Sequence, residues 1–202
     1  MARIIMVIGG SKSGKSTLAE KIVHGFEQRQ TGAVTYVATG TIWDHEFAQR
    51  VEKHKNRRPK SWDTIEEPCN LHNVIAHATI ADEENQRIFL IDGIGTWVTN
   101  LMYSISPKDE DQSQGLQETQ KFIWNKEQEG KFTEYLKLFI DTCNNFKGTI
   151  VIVADEVGMD VVPYYKEARI FRDLNGIANQ QLAQHAEEVH LVVCGIPLQI
   201  KK

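Results

Sequence analysis

Eight consecutive residues, Gly9-Gly10-Ser11-Lys12-Ser13-Gly14-Lys15-Ser16, limit how this chain can fold more than anything else in it. They match GxxxxGK[ST]. The run before them, Arg3–Ile8, is continuous in aliphatic side chains. The run after them, TLAEKIVHGF, has its apolar residues at helical spacing. Strand, glycine-rich turn and helix in that order make a phosphate loop. Its glycines let backbone N–H groups turn inward onto phosphate oxygens, and the helix N-terminus adds partial positive charge. Lys15 is expected to reach the β- and γ-phosphates of a nucleoside triphosphate, and the Ser16 hydroxyl to ligate Mg²⁺.

The remainder of the chain repeats the strand-then-helix pattern. Strands are predicted at Arg3–Ile8, Val34–Thr39, Arg87–Asp92, Thr149–Ala154 and Val189–Cys194, each nearly continuous in apolar residues, as in strands buried on both faces. Helical spacing covers Lys15–Gln28, Asp44–Arg57, Asn70–Ile80, about Thr96–Tyr103, about Leu116–Asn145 and Ala168–Ala186. This alternation predicts an α/β fold with a mainly parallel sheet flanked by helices, of the phosphate-loop NTPase type. With 202 residues, 41% of them hydrophobic, one domain spanning 1–202 can bury its own core. The polar stretch Ser104–Lys131 reads as a loop followed by a solvated helix, or as an insertion that meets another subunit.

A net charge of −4 argues against a general nucleic-acid or anionic-membrane surface, so anion binding must be local. The first apolar run is too short for a signal-peptide core or a membrane span. Cys69, Cys143 and Cys194 lack CxxC spacing. That argues against a structural zinc or disulfide framework and fits a reducing cytoplasm.

Asp92, closing an apolar strand, is the candidate second metal-site group beside Ser16; its bland alternative is a turn-capping Asp. A regulatory GTPase is disfavoured, because the guanine-reading NKxD is missing: the one NK, Asn125-Lys126, is followed by Glu127-Gln128. The predicted helix that Asp44 caps, and that Pro59 ends at or before Arg58, brings in a second cluster, with Arg50, His54 and Arg57 or Arg58 on neighbouring turns. Gathered guanidiniums want an anion, and a polyphosphate suits their forked geometry. Nearby positive charge pushes His54 toward its neutral form, a nucleophile for phosphorus. On chemistry alone, an idle histidine at a solvated helix end remains the alternative.

Taken together, these segments resemble the bifunctional adenosylcobinamide kinase / adenosylcobinamide-phosphate guanylyltransferase family of cobalamin biosynthesis. The resemblance is carried by Gly9–Ser16, Tyr36-Val-Ala-Thr39, Asp44 through Pro59, Trp62–Pro68, Asp92 before Thr96-Trp-Val-Thr-Asn100, Glu156-Val-Gly-Met, Val162-Pro163, Arg169–Gln180 and the final Leu-Val-Val-Cys-Gly-Ile-Pro. It implies that ATP or GTP phosphorylates adenosylcobinamide. GTP then guanylylates a histidine, which passes GMP to adenosylcobinamide phosphate. The family's histidine falls on His54. Its nucleotide-site positions fall on Gly9, Gly10, Ser11, Lys12, Ser13, Gly14, Lys15, Ser16, Ala38, Thr39, Gly40, Lys55, Asn56, Arg57, Arg58, Glu66 and Asp92. The resemblance also implies a RecA-like fold and a homotrimer. A single-activity small-molecule kinase and a nucleotide-gated binding protein are the rival readings.

Four positions depart from the family's pattern. Lys12 stands for Arg, Gly93 for a frequent Cys, Asp155 for a common Asn, and Asp160 for a Gly, whose freedom to take a positive φ Asp shares more than most residues. Arg169, Arg172, Asp173, Gly176 and Asn179 or Gln180 form a polar stripe, read as a solvated face or a substrate or subunit contact. Trp43, Trp62, Trp97 and Trp124 read as packing groups.

Overall fold

The computed structural model describes residues 2–29, 32–40, 52, 58–81, 87–107 and 122–202. Its elements in chain order are β1 (Arg3–Gly9), α1 (Lys15–Glu27), β2 (Val34–Ala38), β3 (Asp63–Glu66), α2 (Leu71–Ala81), β4 (Ile88–Asp92), α3 (Ile94–Ile105), α4 (Lys126–Asn145), β5 (Thr149–Asp155), α5 (Lys166–His185), β6 (Glu188–Val193) and β7 (Ile196–Lys201). The predicted helix over 44–57 lies outside the described residues, Glu52 excepted.

All seven strands join one sheet in the order β3-β2-β4-β5-β1-β6-β7. Every pairing is parallel except β6 with β7. Strand β5 separates the strand bearing the phosphate loop from the strand bearing Asp92. The continuous apolar runs are explained by two covered faces. Ile4, Met6 and Ile8 of β1 join one buried cluster with Trp97, Phe132, Phe139 and Leu182 of the helices. Ile5 and Val7 turn to the opposite face, where Ala19 and Val23 of α1 cover them. Successive residues of a strand point to opposite faces, so each must be apolar to bury both. Trp97 is 1% exposed, donates its indole N–H to the Cys69 carbonyl at 2.7 Å, and is a packing group as expected.

Each predicted strand is present within a residue or so, and the structure adds two. The added strand β3 is a parallel edge strand of four exposed residues with no apolar run to announce it. The other, β7, folds back on β6 through Cys194 (φ 52°) and Gly195 (φ 79°). Two positive φ values in a two-residue link make the hairpin turn that matches strand twist. The long helix expected from Leu116 begins at Lys126. Asn125 is extended, and its side chain accepts from the Glu127 N–H at 2.8 Å, an N-cap that starts the helix there.

Candidate active site

Parallel register brings the carboxyl ends of the strands into one row. Gly9 lies opposite Asp155, Asp92 opposite Val153, and Ala38 opposite both Asp92 and Glu66. Crevices outside such strand ends are where open α/β sheets bind ligands.

The phosphate loop turns at Lys12 (φ 56°) and Gly14 (φ 98°), the second being the N-cap of α1 with no side-chain capping bond. A side chain at Gly14 would face both a positive φ and the Gly195 Cα, 3.3 Å from its Cβ. Across that contact the Gly195 N–H donates to the Ser13 carbonyl at 2.8 Å. The β6–β7 turn therefore walls the loop from outside. The Lys15 ammonium donates to the Gly10 carbonyl at 3.1 Å and pairs with Asp155 at 2.7 Å.

Asp92 is held on both oxygens. Ser16 Oγ lies 3.5 Å from Oδ1, and the Tyr36 hydroxyl donates to Oδ2 at 2.7 Å. Burial, then the Asp92 charge, push the Tyr36 phenol far above its ordinary range, with Arg58 partly opposing, so Tyr36 stays a donor. The Arg58 guanidinium carbon sits 3.2 Å from the Tyr36 ring centroid. Arg58 Nε and Nη1 are buried and have no hydrogen-bond partner among the described residues. Stacked and with donors to spare, this guanidinium suits a phosphate oxygen. Beyond it, Arg58, Pro59, Lys60, Trp62, Thr64 and Glu66 line a groove of about 430 Å³.

Thr39 is fully buried, and its hydroxyl is spent on the Gly93 carbonyl at 2.7 Å. Asn100 holds the Thr39 carbonyl at 2.8 Å. Thr39 thus shapes the end of β2 through its backbone. Gly93 has φ 110°, and a Cβ there would meet Thr39 Oγ1 at 2.7 Å, which accounts for the glycine in this chain.

Ser16 Oγ and the Asp92 carboxylate are hard oxygen donors, a set that fits Mg²⁺ once phosphate oxygens and water complete the shell. Among the described residues no group of three or more His, Cys, Asp and Glu side chains gathers as a metal centre. A Mg²⁺ here would need its substrate phosphates.

Of the predicted site residues, Gly9 to Ser16, Ala38, Thr39, Gly40, Arg58, Glu66 and Asp92 are described and belong to this rim. His54, Lys55, Asn56 and Arg57, with Arg50, lie outside the described residues. Asp160 is exposed and does not use a positive φ; Lys12 and Cys194 are the non-glycine residues with positive φ among those described. The polar stripe of α5 resolves by residue. Arg169 donates to the carbonyls of Pro163 (3.1 Å) and Tyr164 (2.6 Å), while Asn179 is buried against the Asp155 carbonyl at 2.9 Å. The contact between Asp155 and Lys15 was not foreseen. Its signal was present, because Asp155 ends an apolar strand just as Asp92 does.

Three relatives and one family correspond to this chain along nearly its whole length. The family described as cobinamide kinase / cobinamide phosphate guanyltransferase matches residues 5–200. The chain is 38% identical over 200 residues to the bifunctional adenosylcobalamin biosynthesis protein CobU of Escherichia coli (strain K12), covering 98% of this chain and 99% of that protein. It is 35% identical over 199 residues to the CobU of Salmonella typhimurium, with coverages of 98% and 99%. To the bifunctional adenosylcobalamin biosynthesis protein CobP of Pseudomonas aeruginosa it is 31% identical over 198 residues, with coverages of 97% and 96%.

Proposed function

The chain belongs to the cobinamide kinase / cobinamide phosphate guanyltransferase family, and from that premise we propose how its residues divide two successive reactions. It is a bifunctional enzyme of adenosylcobalamin biosynthesis. In the first reaction the hydroxyl oxygen of adenosylcobinamide bonds to the γ-phosphorus of ATP or GTP, the bond to the β–γ bridging oxygen breaks, and a nucleoside diphosphate leaves. Gly9–Ser16 cradles the phosphates and Lys15 offsets the charge that builds on them. In the second, a ring nitrogen of His54 bonds to the α-phosphorus of GTP as pyrophosphate leaves. A phosphate oxygen of adenosylcobinamide phosphate then displaces the histidine, giving adenosylcobinamide-GDP.

The observation that carries this reading is the pair of cationic elements on one row of strand ends. Lys15 stands on the phosphate loop, and Arg58 lies over Tyr36 with two buried donors that have no partner among the described residues. Arg58 is four residues past His54, so it is suited to the polyphosphate that His54 attacks. Lys55, Asn56, Arg57, Glu66 and residues Ala38 to Gly40 belong to the same nucleotide site in this proposal. Mg²⁺, held by Ser16 and Asp92, would neutralise charge on the phosphate oxygens when bound.

Homotrimeric assembly and a cytoplasmic location belong to the same proposal. The exposed Ile196, Leu198 and Ile200 on edge strand β7 support self-association. Among the described residues no helix is long and apolar enough to cross a membrane.

Labelled GTP tests the division of labour. With Mg²⁺, label at the α-phosphate should stay on the denatured protein, be lost in acid, and be missing in His54→Ala, while γ-label should pass to adenosylcobinamide. Retained γ-label, or retained α-label in His54→Ala, would overturn the assignment.

A further inference from the structure

The Lys15 ammonium is 2.7 Å from Asp155 Oδ1, and the Lys15 side chain is only 13% exposed. The Asp155 side chain is 31% exposed, so water screens the pair from one side only. The fold fixes the main chain at Asp155 from two sides and packs a glycine against its carboxylate. Asn175 and Asn179, 1% and 7% exposed on α5, both donate their side-chain N–H groups to the Asp155 carbonyl, at 2.8 and 2.9 Å. The next residue, Glu156, donates its N–H to the Gly9 carbonyl at 3.1 Å, tying this strand end to the base of the phosphate loop. Against the carboxylate stands Gly95, where a Cβ would meet Oδ2 at 2.7 Å. Asp92 does not share this task, since its oxygens face Ser16 and Tyr36.

We propose that Asp155 is the exchange partner of Lys15. It holds the ammonium when the loop is empty, yields it to an incoming polyphosphate, and takes it back as the product leaves. The proposal rests on the phosphate-loop reading and adds a positioning residue to it. Binding a triphosphate then trades one ion pair for another instead of filling a vacant cation, so affinity is moderated. The same return of Lys15 to Asp155 favours release of the two phosphate-bearing products, a nucleoside diphosphate and pyrophosphate. An enzyme that must clear both products from one loop gains turnover from such a partner.

The experiment is a double-mutant cycle on the full chain, read by calorimetric titration with Mg²⁺ and either inorganic pyrophosphate or a non-hydrolysable GTP analogue. Asp155→Asn keeps the shape and removes the charge. It should bind both probes about tenfold more tightly, or about 1.4 kcal/mol. In turnover it should lower the KM for GTP while pyrophosphate inhibits more strongly, a split that loose packing does not produce. Lys15→Ala should weaken binding, and adding Asp155→Asn to it should then change little. An equal gain in the Lys15→Ala background would reduce Asp155 to a general negative charge and overturn the proposal. Unchanged or weaker binding by Asp155→Asn would overturn it too. If Lys15→Ala itself binds normally, the phosphate-loop reading fails instead. Should Asp155→Asn fold poorly by thermal melting, Asp155→Ser carries the same cycle.

Discussion

The ends of β4 and β5 lie side by side in the sheet, and each closes an apolar strand with an aspartate, IFLID at one and TIVIVAD at the other. Their surroundings differ. Asp92 meets two neutral hydroxyls, Ser16 from α1 and Tyr36 from β2. Asp155 meets the Lys15 ammonium, with its peptide clamped by two buried amides of α5. A carboxylate among hydroxyls keeps its charge for a metal ion, whereas a carboxylate against an ammonium has already spent it. Two similar strand ends thus acquire different chemistry from what packs beside them.

Mutation at the two ends should pull in opposite directions. Asp92→Ala is expected to lower both corrinoid phosphorylation and α-label retention by about a hundredfold or more, since it removes the carboxylate proposed to hold Mg²⁺ together with Ser16. Asp155→Asn is expected to tighten nucleotide binding. If both substitutions weakened binding alike, the distinction between the two ends would collapse.

Smaller effects sharpen the same contrast. Asn175→Ala and Asn179→Ala each leave the Asp155 carbonyl with one partner and should each cost about 1–2 kcal/mol in urea unfolding. Because both serve one oxygen, the double variant should depart from additivity. Tyr36→Phe removes the hydrogen bond to Asp92, worth about 1 kcal/mol. It should raise the Mg²⁺ concentration for half-maximal turnover severalfold. The neutral limb of the pH profile should stay in place, because the phenol is held far above its ordinary range.

The opposite end of the sheet provides the control. Glu188, at the start of β6, is held below its ordinary range, chiefly by the 2.6 Å bond from Arg3; burial pushes it upward as the next largest effect, and His190 adds a smaller lowering. A depressed carboxylate stabilises the fold above the unfolded value of about 4.3, and that contribution is lost as pH falls through the folded value. Glu188→Gln should flatten the acid limb of stability by a few tenths of a kcal/mol at most, since Arg3 is half-exposed and the pair is screened. Nucleotide affinity should not change.

The phosphate loop, the five parallel strands and Asp92 were legible in the sequence because each is a local arrangement: a fixed spacing, an unbroken apolar run, a carboxylate at a strand's end. Nothing local announced β3, an exposed strand ordered by pairing with β2, or β7, which exists because Cys194 and Gly195 both adopt positive φ. The α5 stripe was visible as a pattern, but whether Asn179 faced water or the Asp155 carbonyl depended on how α5 seats on the sheet. Likewise Tyr36, Arg58 and Asp92, three positions scattered over 57 residues, became one stack only when β2 and β4 paired in register. By itself the sequence determined that the chain would bind a triphosphate, since backbone N–H groups and one lysine at set spacing suffice. The tertiary structure decided which carboxylate faces the lysine and which faces the Ser16 hydroxyl. Charges act through space, and the chain brings these together only by folding.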